Sequence, residues 1–268
     1  MNLYNNDFFE NRVNGTLYSA KEIIPIITSL IKPASVIDVG CGTGEWLSIF
    51  KEHGVQTVLG IDGDYVDRKN LKIGEHEFLP FDLREPLRLG KKFDLVISVE
   101  VAEHLPCEYA EIFIGSLTQL GPIILFSAAI PFQGGLHHLN EQWPDYWEEI
   151  FRKHNYLVVD CIRNKIWRND NVAYYYAQNM LLFVKNDLID NYPQLAEERR
   201  KNELNMLSIV HPKCYLIRAD IRNYPSLKEI LLSLPGLIFR SLKGRVMRLV
   251  KRFKGAFPLM QPQNNLRR

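Results

Sequence analysis

Two carboxylates and an imidazole lie within five residues of one another in the sequence, at Glu100, Glu103 and His104. Glu100 and Glu103 are three positions apart, so a helical turn places them on one face, and a tight turn brings His104 to the same face. A second imidazole follows further along the chain, at His137 or His138. We favour His138, since it lies at a fixed short distance from the polar block that follows it.

These side chains predict chemistry on a hydroxyl group. Two carboxylates and two imidazoles suit octahedral coordination of Mg²⁺, Mn²⁺ or Fe²⁺, with open positions for substrate hydroxyls. Coordination lowers the pKa of a hydroxyl and orients it, whereas without a metal a histidine takes the proton directly. We expect Glu103, His104 and His138 to be catalytic, and the same three with Glu100 to be the ligands of any metal.

A glycine-rich loop forms a second candidate site. Gly40, Gly42 and Gly44 allow the backbone to turn sharply and to approach a ligand closely. Asp38 precedes the loop, and Asp62 lies 22 positions after Gly40, at the end of the next predicted strand. Because a carboxylate there can accept hydrogen bonds from two ribose hydroxyls, the pattern predicts a nucleoside cofactor. The spacing GxGxG differs from the GxGxxG that indicates NAD.

Alternating strand and helix patterns position these residues. Apolar residues at three- and four-residue spacing predict an amphipathic helix over 17–32, which Pro33 ends. Further helices are predicted over 45–53, 108–120, 143–153 and 193–207, and strands over 35–39, 58–62, 77–79, 93–99, 123–127, 156–163 and 175–184. Such alternation is typical of an α/β sheet that is parallel over most of its width. The last two strands are joined by a short linker, so one of them can run antiparallel.

Residues 36–44 (VIDVGCGTG) resemble motif I of class I S-adenosylmethionine-dependent methyltransferases, and the resemblance extends over residues 17–185. It implies a Rossmann-like, mostly parallel seven-stranded sheet flanked by helices, with S-adenosylmethionine as the methyl donor. The cofactor-binding residues that it implies are Asp38, Gly40, Gly42, Gly44, Asp62, Asp82, Leu83 and Glu100. Within this set the glycines surround the methionine moiety, Asp62 binds the ribose, and Asp82 faces the exocyclic amine of the adenine.

The block 134–147 (GGLHHLNEQWPDYW), with 18–20 and 178–179, resembles a bacterial methyltransferase subfamily often found near genes for surface polysaccharide or secondary-metabolite assembly. The acid and histidine pattern is similar to the metal site of small-RNA 2′-O-methyltransferases and of some quinone-precursor O-methyltransferases. A similar string also occurs in metal-free methyltransferases, where the residue matching Glu100 only shapes the cofactor pocket. The polar residues 140–142 either cap the next helix or bind substrate hydroxyls.

Charge divides the chain into an acidic body and a basic tail. Residues 230–268 hold nine of the 33 basic residues and no acidic one, so residues 1–229 carry a net charge of −7. An acidic body argues against a nucleic-acid partner. Residues 237–257 predict a basic amphipathic helix, for which we favour an anionic membrane surface over RNA or packing on the body.

We expect three parts: a methyltransferase domain over 1–185, a polar helical linker over 186–229 and a basic amphipathic tail over 230–268. The first residues do not resemble a secretory signal, and the longest apolar runs are shorter than the roughly 20 residues that span a bilayer. The four cysteines form no CxxC pair. We therefore expect a cytoplasmic protein whose tail contacts the inner face of the membrane.

Taken together, the sequence predicts methyl transfer from S-adenosylmethionine to a hydroxyl of a sugar, glycan or other polar small molecule. An oxygen acceptor is favoured because a hydroxyl must lose its proton, which the histidine and glutamate cluster can accept. Two alternatives remain at this point: a metal-dependent RNA ribose 2′-O-methyltransferase, and a non-catalytic cofactor-binding subunit of a membrane-associated assembly. The sequence does not predict the oligomeric state.

Overall fold

A computed structural model describes residues 6–201, 206–223, 231–232 and 234. The chain divides into two units, Met1–Arg218 and Ala219–Arg268, and most of the described residues belong to the first. The predicted tail helix over 237–257 lies outside the described residues. In the part of the chain that is described, no helix is long and apolar enough to cross a membrane.

Seven strands form one sheet in the described part of the chain. They are β1 (Ser35–Val39), β2 (Thr57–Asp62), β3 (Phe78–Pro80), β4 (Leu95–Val99), β5 (Ile123–Ser127), β6 (Tyr156–Val159) and β7 (Leu181–Lys185). The spatial order is β3-β2-β1-β4-β5-β7-β6. Every neighbouring pair is parallel except that β7 runs antiparallel to both β5 and β6. The predicted mostly parallel seven-stranded sheet is confirmed.

Helices cover both faces of this sheet. The α-helices of the described residues are α1 (Asn6–Ile31), α2 (Glu45–Glu52), α3 (Ala110–Leu120), α4 (Pro144–Lys153), α5 (Arg163–Ile166), α6 (Tyr174–Asn179), α7 (Pro193–Lys201) and α8 (Pro212–Asn223). All residues of the central strands β4 and β5 are buried, as their continuous apolar runs require when helices cover both faces. One apolar cluster lies beneath α1 and α2, and a second beneath α3 and α4.

The segment before β7 differs from its prediction. A strand was expected over 175–184, but residues Tyr174–Asn179 form helix α6 and β7 begins only at Leu181. Three consecutive tyrosines favour a strand locally. Packing overrides that preference, because the Tyr176 ring meets the indole of Trp46 edge-on, with centroids 5.4 Å apart. Residues 178–179, expected on the last strand, therefore end a helix.

Three further boundaries differ from the sequence patterns by more than two residues. Helix α1, predicted over 17–32, already begins at Asn6. β6 ends at Val159 and not at 163, because helix α5 begins at Arg163. The helix predicted over 193–207 is observed as α7 over Pro193–Lys201, and residues 206–211 are not helical.

The direction of β6 determines which elements lie beside the loops that follow β1, β4 and β5. β6 and β5 both run antiparallel to β7, so β6 is parallel to β5. The carboxyl end of β6 therefore lies at the same edge of the sheet as the carboxyl ends of β1, β4 and β5. Ligands of open α/β sheets bind at this edge. Helices α5 and α6, which follow β6, lie there as well.

Candidate active site

Two positions of the glycine loop between β1 and α2 require glycine. Gly40 and Gly44 have φ values of +90° and +87°, in the left-handed region that favours glycine. A Cβ on Gly40 would lie 2.4 Å from a methyl of Val101, and one on Gly44 would lie 3.0 Å from Ile73. The loop directly follows β1, so it lies at the ligand-binding edge of the sheet.

Asp62, at the end of β2, points its carboxylate at this loop. Its Oδ2 accepts a hydrogen bond from the backbone N–H of Gly42 at 2.7 Å. Its Oδ1 accepts one from the N–H of Gly63 at 2.7 Å and one from the hydroxyl of Tyr65 at 2.5 Å. The hydroxyl of Tyr65 thus occupies an acceptor position that a ribose hydroxyl would use.

Asp38 is a buried carboxylate beside the same loop. Neither of its oxygens has a hydrogen-bond partner among the described residues. Burial raises its pKa well above the usual range, and the charges of Asp62 and Glu45 raise it further. An unsatisfied carboxylate of this kind fits a cationic group, such as the ammonium of a methionine moiety, seated on the glycine loop.

The segment expected at the adenine lies next to Asp62. The backbone N–H of Phe81 donates to the backbone carbonyl of Asp62 at 2.8 Å, so the segment that contains Asp82 and Leu83 begins next to Asp62. Asp82 itself forms a 2.5 Å ion pair with Arg84. Hydrogen bonds from the side chain and the backbone N–H of Arg84 lower the pKa of Asp82 to about 2. Its carboxylate is therefore ionised and engaged with Arg84.

The predicted acid and histidine residues meet at the end of β4. Glu103 and His104 lie on a 3₁₀ turn directly after that strand. The backbone carbonyl of Glu103 accepts hydrogen bonds from the N–H groups of Leu139 and Asn140, at 2.7 and 3.0 Å. These bonds bring residues 130–143, here called the histidine loop, against the turn. The rings of His104 and His138 lie 4.9 Å apart, at an angle of 87°.

Hydrogen bonds assign the proton on both imidazoles. Nδ1 of His104 lies 3.3 Å from the carbonyl oxygen of His137, and Nδ1 of His138 lies 3.0 Å from Oε1 of Glu141. A carbonyl or carboxylate oxygen accepts only, so Nδ1 carries the proton in each ring. In the neutral state the lone pair of each ring is therefore on Nε2, the atom that serves a base or a metal ligand.

Glu141 also shapes the histidine loop. Its Oε2 accepts from the N–H of Phe132 at 2.8 Å, and its Oε1 accepts from the N–H of Gly134 at 2.6 Å. The sequence left two roles open for this residue, capping of the next helix or substrate binding. In the structure its carboxylate orients His138 and closes the turn at 132–134.

Glu100 faces a group of amides. Its two carboxylate oxygens accept from Nε2 of Gln133 at 3.0 Å and from Nδ2 of Asn179 at 3.1 Å. Gln178 extends this network by donating to Oε1 of Gln133 at 3.0 Å. Burial raises the pKa of Glu100, and these amide hydrogen bonds partly offset that effect.

Three of the four predicted metal ligands come together. Donor atoms of Glu103, His104 and His138 all lie within 4.8 Å of one another, whereas Glu100 lies outside this cluster. Both carboxylate oxygens of Glu103 are buried and have no hydrogen-bond partner among the described residues. Burial, followed by the charge of Glu100, raises the pKa of Glu103 well above its usual range. A divalent cation fits this carboxylate, because coordination would satisfy both oxygens.

Several residues with strained backbone conformations lie near the cluster of Glu103, His104 and His138 in the fold. Among the described residues, five other than glycine have a positive φ, and three of these are Glu100, Phe132 and His137. Such conformations cost about 1–3 kcal/mol each and cluster at functional sites. We infer that this part of the fold is held for function.

Sequence reasoning missed three contributors to the site. Gln133 lies 33 positions from Glu100, and no pattern connected the two. Tyr65 was not connected with Asp62. Arg218, on α8, donates to the carbonyl of Gln133 and packs against Gly134, so a segment far along the chain forms part of the site.

Comparisons with known proteins give a family and a fold. The model of a family described as "Methyltransferase domain" matches residues 16–164. A search of curated proteins gives no match.

Solved structures of similar fold include DesVI from Streptomyces venezuelae, 17% identical, with a TM-score of 0.50 and coverage of 66% of this chain and 94% of that one. An O-methyltransferase family protein from Burkholderia thailandensis is 15% identical, with a TM-score of 0.51 and coverage of 67% and 57%. CalS10 from Micromonospora echinaspora, described as an amino pentose methyltransferase, is 15% identical, with a TM-score of 0.49 and coverage of 69% and 99%. At these identities the first two show a shared fold.

Proposed function

Because this chain belongs to the class I S-adenosylmethionine-dependent methyltransferases, we propose that it methylates a hydroxyl oxygen of a sugar, glycan or other polar small molecule. The observation that carries the proposal is the pair formed by His138 and Glu141, with Nδ1 and Oε1 3.0 Å apart. Methylation of a hydroxyl oxygen requires a base, because an alcohol is a poor nucleophile until its proton is lost.

The cofactor fits the glycine loop. Backbone around Gly40, Gly42 and Gly44 would surround the methionine moiety, Asp38 would accept from its ammonium, and Asp62 would accept from the ribose hydroxyls. When bound, S-adenosylmethionine supplies a methyl group on sulfur that is transferred by in-line attack. The Tyr65 hydroxyl must leave Oδ1 of Asp62 before that carboxylate can accept two ribose hydroxyls.

His138 performs the proton transfer in this proposal. Its Nε2 accepts the proton of the substrate hydroxyl as the oxygen attacks, and Glu141 stabilises the charged ring that results. The carboxylate also fixes the ring orientation, which is the role of the third group in acid–base triads. His104, whose ring meets that of His138 edge-on, helps to position the hydroxyl.

A metal-assisted form of the same reaction is supported by the cluster of Glu103, His104 and His138. One carboxylate and two imidazoles suit Fe²⁺ or Mn²⁺ better than Mg²⁺, which prefers oxygen ligands alone. A cation held there would lower the pKa of a coordinated hydroxyl, and in this form the proton would pass to water, because Nε2 of His138 would be a ligand and not the base. The hydrogen bonds from Nδ1 of both histidines have the arrangement that orients histidine ligands in metal sites.

Polar and aromatic groups support a sugar-like acceptor. The histidine loop presents the amide of Gln142, which donates to Oδ1 of Asn140 at 2.9 Å. The next residue, Trp143, is exposed to 40% and offers a ring face on which a sugar can stack. Contact with an anionic membrane surface through residues 237–257 remains part of the proposal, on the evidence of their charge.

The test is transfer of a labelled methyl group to fractionated bacterial extract, separated into soluble metabolites, glycolipids, polysaccharide and RNA. We expect label in a carbohydrate-containing or metabolite fraction, and a loss of at least about 100-fold in the His138→Ala variant. His53→Gln serves as the control, since His53 is exposed at the end of α2 that points away from the glycine loop.

Two results would contradict the proposal. Label confined to RNA would favour the ribose methyltransferase, and absence of label despite cofactor binding would favour the non-catalytic subunit. Parallel reactions with a chelator, followed by addition of Mn²⁺ or Fe²⁺, test the metal-assisted form. That form is rejected if chelation leaves the rate unchanged.

A further inference from the structure

A cleft of about 550 Å³ lies at the carboxyl end of β6, between α5 and the segment that follows α7. Its walls include Asp160, Arg163, Lys165, Trp167 and Arg168. We call it the basic cleft, because three of these side chains are cationic and one is anionic. This local charge contrasts with the net acidity of residues 1–229.

Arg163 forms part of the cleft wall and has no donor left for a ligand. Its guanidinium is buried and donates through Nε and Nη2 to Asp160, at 3.0 and 2.6 Å. The remaining donors go to the backbone carbonyls of Gln178, Leu207 and Met206. All five N–H groups of this arginine are thereby engaged. Arg163 therefore holds the cleft together, and its charge is balanced by Asp160.

Lys165 and Arg168 supply the cationic character that remains. Both are exposed. Lys165 lies 3.6 Å from Glu198, and an ion pair in which the lysine is exposed to water contributes little. Arg168 has no ion-pair partner among the residues that the structure describes. The half-buried indole of Trp167 lies beside them and can stack on a planar group.

A chain of buried hydrogen bonds runs from the wall of the basic cleft to the candidate active site. Arg163 donates to the carbonyl of Gln178 at 3.2 Å, and Gln178 donates to Gln133 at 3.0 Å. Gln133 in turn donates to Glu100 at 3.0 Å. Buried amides thus join the cleft wall to the proposed site of methyl transfer, at the ligand-binding edge of the sheet.

We propose that the basic cleft binds the phosphate or diphosphate group of the methyl acceptor, so that the substrate is a phosphorylated sugar. This inference rests on the proposed function, since it assigns the acceptor of the same reaction. Lys165 and Arg168 would pair with the phosphate oxygens, through charge-assisted hydrogen bonds. Trp167 would contact whatever planar group the phosphate carries.

Binding to the full-length protein, measured by calorimetry without methyl transfer, tests the inference separately from the proposed function. The probes are pyrophosphate, uridine diphosphate and geranyl diphosphate, which share the diphosphate but differ in the group attached. We expect all three to bind, and the Lys165→Gln/Arg168→Gln variant to bind each at least about tenfold more weakly. Uridine diphosphate binding more tightly than the others, with the difference lost in Trp167→Leu, would identify a nucleotide-linked acceptor. Geranyl diphosphate binding most tightly would identify a lipid-linked one.

Arg152→Gln is the matched control, because Arg152 is an exposed arginine on α4, outside the cleft. It is expected to bind the probes like the wild type. Equal weakening in this control, or equal binding by all variants, would overturn the inference. So would binding of a single-stranded RNA oligonucleotide without binding of pyrophosphate. If methyl transfer fails while the cleft variants lose diphosphate binding, the proposed function is wrong but the cleft is still a phosphate site.

Discussion

The role of Glu141 gives the sharpest prediction about the proposed reaction. Its carboxylate accepts hydrogen bonds from the ring of His138 and from two backbone N–H groups of the histidine loop. In the Glu141→Gln variant, one oxygen can still accept from His138 and Gly134. The new NH₂ group faces the N–H of Phe132, which loses its acceptor. The substitution thus preserves the size of the side chain while it removes the charge that stabilises a protonated His138.

The magnitude follows from the burial of the pair. The side chains of His138 and Glu141 are 12% and 19% exposed, so screening by water is reduced but not absent. At an effective dielectric constant near 20, two unit charges about 4 Å apart interact by about 4 kcal/mol. The ring becomes charged only as the proton moves, and water screens part of the interaction. We therefore take the loss of transition-state stabilisation in Glu141→Gln as about 2 kcal/mol. This corresponds to a decrease in kcat of about 30-fold.

Steady-state kinetics on the acceptor identified by labelling measures this effect. We expect kcat to fall while the KM for the acceptor and the affinity for S-adenosylhomocysteine change little. Glu149→Gln is the charge-matched control, because Glu149 is exposed on α4. If Glu141→Gln retained full kcat while His138→Ala was inactive, stabilisation of the protonated His138 ring by the charge of Glu141 would be refuted. A fall in cofactor affinity of similar size would instead indicate general disruption of the loop.

Three further predictions address other parts of the molecule. Tyr65→Phe frees an acceptor position on Asp62. S-adenosylhomocysteine is therefore expected to bind about threefold to tenfold more tightly, as measured by calorimetry. This change in binding free energy is the size of one hydrogen bond. Glu103→Gln is expected to raise the free energy of unfolding of the metal-free protein. Burial raises the pKa of Glu103, so the folded wild type binds a proton that the unfolded chain has already released. The stability gained by Glu103→Gln should therefore grow as the pH rises above the pKa of Glu103 in the unfolded chain, and should vanish in acid. A gain that does not depend on pH, measured by denaturant unfolding, would contradict this. Replacing the seven basic residues of 237–257 by Gln should abolish cosedimentation with phosphatidylglycerol vesicles at low salt, and unchanged cosedimentation would exclude an electrostatic contact.

Local sequence patterns were sufficient for the framework of the sheet. β5 was predicted at its observed bounds because it is a continuous apolar run that follows Gly121 and Pro122 and ends at Ser127. The glycine loop was recognisable because Gly40 and Gly44 need conformations that other residues avoid. Both features depend on neighbours in the sequence, so both could be predicted from it.

Contacts between distant segments could not be predicted in this way. The three tyrosines 174–176 favour a strand by their own preferences, but residues 174–179 form a helix in which Tyr176 packs against Trp46. The spacing of Glu100 and Glu103 suggested one shared metal site, but amides from Gln133 and Asn179 engage Glu100. The position of those amides depends on the whole fold, which no local pattern encodes.

The central claim is that His138 accepts a proton from a hydroxyl that becomes methylated. The most direct test uses S-adenosylmethionine with a carbon-13 methyl group and determines by NMR which atom carries the methyl in the purified product. We predict a methyl group on oxygen, formed by the wild type and the His53→Gln control and absent with His138→Ala. A methyl group on nitrogen or carbon, or full product formation by His138→Ala, would contradict the account.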